Sequence, residues 1–169
     1  MIETAQRIRI IGGSGSGKTY LAKLISNHNN LKYLNLDELY WSKGKKRNEI
    51  ERNNLLKESM KHEKWIIEGS YDEEWVSSTL TDSTTIIILK VTLLKRLIRI
   101  ITKYFSKMFS QEETIKQLII KIGETINYNK KHLIKLTNNK YIQKKSKTFS
   151  NAEEAYKFYV KETAPDLFL

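Results

Sequence analysis

A glycine-rich stretch near the start constrains this chain more than anything else in it. Ile8-Arg9-Ile10-Ile11 runs into Gly12-Gly13-Ser14-Gly15-Ser16-Gly17-Lys18-Thr19, and Tyr20-Leu21-Ala22-Lys23-Leu24-Ile25 continues with helical spacing. The pattern is G-x-x-x-x-G-K-[ST], opened by Gly12 and closed by Gly17, Lys18 and Thr19. Glycines 12, 13, 15 and 17 let the backbone curl with its N–H groups pointing inward and no Cβ in the way. A helix starting near Gly17 adds free N–H groups and the positive end of its dipole. Such a cradle, Gly12 to Thr19, suits a polyphosphate, with Lys18 reaching the β- and γ-phosphates and the Thr19 hydroxyl ligating Mg²⁺. The apolar strand before it and the helix after it supply the context that a chance Gly/Ser turn lacks.

The chain has 169 residues, no internal repeat and one proline, Pro165, so residues 1–169 read as a single domain. No run of about 18 apolar residues is present to span a membrane, and Met1-Ile2-Glu3-Thr4-Ala5-Gln6-Arg7 lacks the apolar segment of a signal peptide. There is no cysteine, which excludes disulfides, thiol nucleophiles and cysteine metal sites and agrees with a cytoplasmic location. His28, His62 and His132 are scattered without ligand spacing and read as surface or boundary residues. The net charge of +11 is unevenly spread. Residues 90–147 hold 15 basic and 3 acidic side chains, whereas residues 1–89 hold 13 and 12. That block is either a solvated lysine-rich surface or a patch for polyanions, nucleic acid included. Oligomeric state has no signature in the sequence.

After the first helix, about 17–28, Lys32-Tyr33-Leu34-Asn35-Leu36 reads as a second strand ending at Asp37. In open α/β sheets ligands sit off the carboxyl ends of strands, which aims Asp37 at the crevice of the glycine-rich loop. A helix of about 48–62 follows, with Ile50, Leu55, Leu56 and Met60 as its apolar stripe. Lys64-Trp65-Ile66-Ile67-Glu68-Gly69-Ser70-Tyr71 is a third strand tipped by an acid, which is what a carboxylate holding a magnesium ion's waters looks like beside such a loop. Asp72-Glu73-Glu74 opens a short helix, where acids suit the dipole. Thr84-Thr85-Ile86-Ile87-Ile88-Leu89 is a buried strand.

In the helix of about 92–105, Leu94, Leu97, Ile98, Ile101, Phe105 and Met108 fall on one side and Arg96, Arg99, Lys103 and Lys107 on the other. The cationic stripe is a solvated face or a row of charges closing over phosphates, a task for which Arg96 and Arg99 suit best. Ser110-Gln111-Glu112-Glu113 forms a capping box for a helix running to about 136, with Ile115, Leu118, Ile119, Ile122, Ile126 and Leu133 on one face. The segment between these helices, within about 96–115, is a candidate lid. The last strand lies around Lys140-Tyr141-Ile142-Gln143 or Lys147-Thr148-Phe149, and a second capping box, Ser150 with Glu153, starts a final helix to about 161. Alternation of strands and helices implies an α/β fold, a parallel five-stranded sheet covered on both faces with a small helical lid.

Three motifs together, Gly12–Thr19, Leu36-Asp37 with Tyr40-Trp41, and Trp65-Ile66-Ile67-Glu68-Gly69-Ser70-Tyr71, resemble the adenylate-kinase-like branch of the P-loop NTPases. More narrowly, the chain looks like the bacterial DNA topology modulation proteins. The likeness covers about residues 7–105. Two departures stand out: Lys90 follows the fourth strand where such proteins commonly carry an acid, leaving Glu68 or Asp37 to supply a metal carboxylate, and the lid stretch is rich in lysine where relatives carry several arginines.

These residues point to an ATP- and Mg²⁺-dependent phosphotransferase acting on a small acceptor, a nucleoside, a nucleotide or another hydroxylated metabolite; the resemblance is kinase-like in fold and does not supply the acceptor. Loop amides and Lys18 then hold the phosphates, while Thr19 and Glu68 hold the metal. Asp37 orients or deprotonates the acceptor hydroxyl, and Arg96 or Arg99 meets the developing charge. Tyr40, Trp41 and Tyr71 are either the acceptor's aromatic wall or core aromatics beside a strand end. Two other readings remain, a nucleotide-regulated nucleic-acid-binding protein using residues 90–147 and a structural protein that keeps ATP without turnover.

Overall fold

The computed structural model describes residues 6–108, 115–137 and 140–163. The first half runs β1 (Arg7–Gly12), α1 (Lys18–Asn29), β2 (Lys32–Asn35), α2 (Leu36–Tyr40), β3 (Trp41–Ser42), β4 (Lys45–Lys46), α3 (Glu49–Met60) and β5 (Trp65–Glu68). A 3-10 turn (Glu74–Val76) leads into α4 (Ser77–Thr81) and β6 (Thr85–Leu89). Then come α5 (Leu93–Met108), α6 (Ile115–Thr137), α7 (Lys140–Lys145), β7 (Ser146–Phe149) and α8 (Ala152–Thr163).

Five strands form one parallel sheet in the order β2-β5-β1-β6-β7, while β3 and β4 make a separate hairpin. β1 is central, with Ile10 in register with Glu68 on one side and Ile87 on the other. Because all five strands point the same way, Gly12, Asn35, Glu68, Leu89 and Phe149 end at one rim of the sheet, where a ligand crevice belongs.

Alternation along the strands sends side chains to two faces. Ile8, Ile10, Ile66, Ile87 and Leu89 pack under α1 and α8, against Leu21, Ala22, Ile25, Ala152, Ala155 and Tyr159. On the other face Ile11, Ile86 and Ile88 meet Ile142 of α7 and Leu80 and Tyr128, and a separate cluster joins Trp65 and Ile67 to Leu36, Leu39, Leu56 and Val76. Each fully buried isoleucine or leucine contributes about 1.5–3 kcal/mol. These faces carry the expected α/β architecture.

Several local expectations are corrected. Of the two positions for the last strand, Lys147-Thr148-Phe149 is the strand, while Lys140-Tyr141-Ile142-Gln143 is helical in α7. In α3 the inward positions are Arg52 and Leu56, and Ile50 and Leu55 are exposed, so the expected apolar stripe is displaced around the helix. α5 is turned likewise: Arg96 and Tyr104 point inward, and Leu94, Ile98 and Phe105 face solvent. The apolar face of α6 is thinner than expected, with Ile115 and Ile119 exposed and Thr125 buried. The final helix starts one residue later than its predicted box. Asn151 caps it by accepting from the Glu154 amide at 2.8 Å, and the Glu154 carboxylate accepts from Ser150. The other box, Ser110 with Glu113, and the tip of the candidate lid lie outside the described residues.

Candidate active site

β1 ends at Gly12 and α1 begins at Lys18, so the loop lies across the rim of the sheet at its centre. Gly17 is the residue before α1, left-handed at φ 94°, and no side chain caps the helix start. The first amides of α1 are thereby left open to an anion. Within the loop the Ser16 amide donates to the Gly13 carbonyl at 3.1 Å, and Lys18 folds back so that its Nζ donates to the same carbonyl at 3.3 Å. Lys18 is buried, and burial pushes its pKa down, partly countered by Glu68 and Asp37. A buried ammonium that lacks a carboxylate within ion-pair distance among the described residues is favoured by an incoming phosphate.

Thr19 and Glu68 come together from different elements. The Thr19 hydroxyl donates to Glu68 Oε1 at 2.8 Å, and the Tyr33 hydroxyl donates to the same oxygen at 3.3 Å. Burial and the nearby Glu68 push the Tyr33 pKa well above its usual value, so it stays a donor. Glu68 is buried at the end of β5, next to β1. Among the described residues no group of three or more acidic or histidine side chains forms a metal cluster. A hydroxyl and one carboxylate beside a phosphate cradle nevertheless fit magnesium, which takes few protein oxygens and completes its shell with phosphates and water.

Asp37 is not on a strand. Asn35 caps α2, its Oδ1 accepting from the Asp37 amide at 2.8 Å, and this turns the chain into helix before Asp37 is reached. The side chain still lies on the crevice side, since its charge acts on Lys18 and its carboxylate accepts from the Tyr71 hydroxyl. Burial first, then Asp37, raises the Tyr71 pKa. Tyr71 stacks on Tyr40 with centroids 5.2 Å apart, and Trp75 closes the group edge-on to Tyr71 at 5.3 Å. Trp41 contacts Tyr40 edge-on but starts the β3–β4 hairpin and is half exposed, so it sits at the rim rather than in the wall.

Arg96 and Arg99 are placed differently from a pair poised above the phosphates. Arg96 Nε donates to the Ser14 carbonyl at 2.8 Å and Arg99 Nη1 to the Gly15 carbonyl at 3.2 Å. Arg96 is fully buried, which lowers its pKa, and its guanidinium lies so close to Gly13 that a Cβ there would sit 1.9 Å from Nη2. A Cβ at position 13 would therefore displace the Arg96 guanidinium. Here α5 braces the loop through its carbonyls.

Residues the sequence did not single out complete the site. Arg52 is buried in α3, its guanidinium 4.3 Å from the Trp75 ring and 5.6 Å from that of Tyr40, with Glu49 at 3.5 Å. An arginine inside a helix otherwise rich in charge gives no sign of burial, and Trp75, in the 3-10 turn after Tyr71, carries no periodic signal that would place it in the wall. A cavity of about 310 Å³ beside the loop is lined by Gly17, Tyr20, Arg99, Ala152 and Glu153. A larger cleft of about 530 Å³, lined by Asn30–Tyr33 and His62–Lys64, opens at the opposite rim of the sheet, away from Lys18 and Glu68.

The glycine-rich loop across the centre of the rim and the strand order define an α/β fold, a five-stranded parallel sheet covered by helices on both faces. Solved structures agree. The chain is similar to a shikimate kinase from Bacteroides thetaiotaomicron (TM-score 0.59, 18% identity, 94% of this chain and 97% of that one). It is similar also to a shikimate kinase from Acinetobacter baumannii in complex with shikimate (0.58, 12%, 97% and 96%). A gluconokinase from Sinorhizobium meliloti 1021 matches at 0.57 and 11% identity over 98% and 97% of the two chains. At these identities the likeness is one of fold. No family profile matches the chain, and no curated protein matches it by sequence. No helix among the described residues is long and apolar enough to cross a membrane.

Proposed function

We propose that this chain is a Mg²⁺-dependent phosphotransferase that moves the terminal phosphoryl group of ATP, or of a related nucleoside triphosphate, to a hydroxyl of a small acceptor. The observation that carries the reading is the convergence of Lys18, the Thr19–Glu68 pair and Asp37 at one rim of the sheet. Phosphoryl transfer asks mainly for positioning and charge neutralisation, and these groups supply both. Loop amides and Lys18 bind the phosphates, and Thr19 and Glu68 hold the metal. A magnesium ion held there by Thr19 and Glu68 would supply charge neutralisation for the transferring phosphoryl group. Asp37, steered by Tyr71, accepts the proton of the acceptor hydroxyl. The cavity at Tyr20, Arg99 and Ala152 takes the nucleoside end, and the Tyr40–Tyr71–Trp75 wall with Arg52 takes the acceptor. An acceptor with an anionic or planar group away from its hydroxyl suits that wall. The resemblance of the three motifs to adenylate-kinase-like P-loop proteins and the kinase fold of the structural neighbours support the same reading.

The test is ADP release screened over nucleosides, nucleotides, sugar acids and hydroxylated carboxylic acids. Wild type is compared with Lys18→Ala and Asp37→Asn. Turnover with at least one acceptor is expected, with both variants losing about 10²-fold or more and Asp37→Asn keeping its ATP affinity. Undiminished turnover in Asp37→Asn removes Asp37 from the mechanism, and no turnover with any acceptor, despite ATP binding, favours a nucleotide-holding protein.

A further inference from the structure

Arg9 is a charge in a place where the fold needs none. It lies in the interior of the central strand, in register with Ile67 on one side and Ile86 on the other, and it is fully buried. It separates the two apolar clusters on its face of the sheet, and a methionine or leucine there would join them without desolvating a cation. Among the described residues no carboxylate lies within ion-pair distance of it, and its Nε has no hydrogen-bond partner. Folding stability alone gives no reason for an arginine here.

Two of its three carbonyl partners flank Glu68. Nη1 donates to the Ile67 carbonyl at 3.3 Å and to Ile10 at 2.8 Å, and Nη2 donates to the Gly69 carbonyl at 3.2 Å. The fork thus spans Glu68 from both sides. One residue on, the Ser70 hydroxyl donates to the Gly12 carbonyl at 2.7 Å, tying the same segment to the start of the phosphate loop. Gly69 itself is pressed on Leu36, where a Cβ would come within 2.8 Å of the leucine Cβ, so the segment has little room to shift. The charge also reaches the site: Arg9 acts on Lys18 and is itself held charged by Glu68, though burial lowers its pKa to about 10. The other groups facing it are Tyr128, whose pKa is pushed up to about 12 chiefly by burial, and beyond it Asp72 and Arg96. Around the loop three buried cations, Arg9, Lys18 and Arg96, stand against one buried carboxylate, Glu68. That surplus suits a multiply charged anion such as a polyphosphate.

We propose that Arg9 is a positioning residue of the phosphate site, holding the Glu68–Ser70 segment in register with the loop and setting a permanent positive charge beneath it. The inference rests on the nucleotide-binding reading above. An arginine fork spans two carbonyls where a lysine ammonium spans one, so charge and brace are separable by substitution.

The experiment is calorimetric titration of ATP into wild type, Arg9→Met and Arg9→Lys, each with Mg²⁺ and with EDTA, alongside thermal melts. Arg9→Met is expected to melt no lower than wild type and to bind ATP·Mg about tenfold more weakly. Arg9→Lys is expected to recover most of the affinity in EDTA, since the charge returns, but not the further gain that Mg²⁺ brings to wild type. Wild-type affinity in Arg9→Met overturns the proposal, as does a loss that tracks a lowered melting temperature and is untouched by lysine. Where Arg9→Met fails to fold, Arg9→Lys decides: a reduced Mg²⁺ gain supports the brace and a wild-type gain refutes it. If the wild-type chain binds no ATP, the functional reading falls and Arg9's phosphate role falls with it.

Discussion

Gly13→Ala tests the brace between α5 and the phosphate loop. The added Cβ would sit 1.9 Å from Arg96 Nη2, far inside the 3.0 Å that real contacts respect, so the guanidinium must retreat by more than about 1 Å. That retreat breaks the 2.8 Å bond from Arg96 Nε to the Ser14 carbonyl. Overpacking costs about 1–3 kcal/mol, and a charge-assisted hydrogen bond about 1.5–3 kcal/mol, so Gly13→Ala should destabilise by about 3–5 kcal/mol. Arg96→Ala alone loses the bond but also removes a desolvated cation, for about 1–3 kcal/mol. In Gly13→Ala/Arg96→Ala the bond is lost only once and the overlap disappears. The double variant should therefore cost about what Arg96→Ala costs, a coupling of about 3–5 kcal/mol in its favour. Urea unfolding followed by circular dichroism measures all four corners of the cycle. Costs that add to within about 0.5 kcal/mol would refute the contact.

The orientation of α5 makes Ile98→Glu nearly silent, within about 0.5 kcal/mol, whereas Tyr104→Ala should cost about 3 kcal/mol or more in the same unfolding assay; the reverse order would mean that the helix presents its other face. Lys18 supplies a pH test. Its folded pKa is below the usual 10.5, so between the two values the unfolded chain holds a proton that the folded chain has shed, and stability rises with pH across that window. Lys18→Met should flatten the rise in the urea midpoint measured as pH climbs toward 10.5. Arg52→Met should leave ATP affinity and the unfolding midpoint nearly unchanged while raising the acceptor KM about tenfold or more, and an unchanged KM would remove Arg52 from the acceptor wall.

Much of this was legible before any tertiary contact was known. The loop Gly12–Thr19 announces itself because the residue types that free its main-chain amides are local in sequence. Glu68 was legible as the last residue of a short apolar strand, since strand ends in a parallel sheet share a rim. Asp37 was assigned to the crevice for a partly wrong reason: it sits in α2, because the Asn35 cap ends the strand early. Periodicity misled in α3 and α5. There the counts of apolar residues favour one face, yet the packed face holds Arg52 with the aromatic wall and Arg96 with the loop.

The sequence alone determined the alternation of the sheet strands with their main helices and the glycine-rich loop with its lysine, because these follow from backbone chemistry and short-range pattern. Only the tertiary structure decided which charged side chains are buried. Arg9, Arg52 and Arg96 are ordinary arginines in the chain, and their roles arise from partners 60, 23 and 82 positions away, the Gly69 carbonyl, the Trp75 ring and the Ser14 carbonyl. A buried cation is tolerated only where distant groups accept its hydrogen bonds or face its charge, and those groups come together only when the sheet and its covering helices have closed.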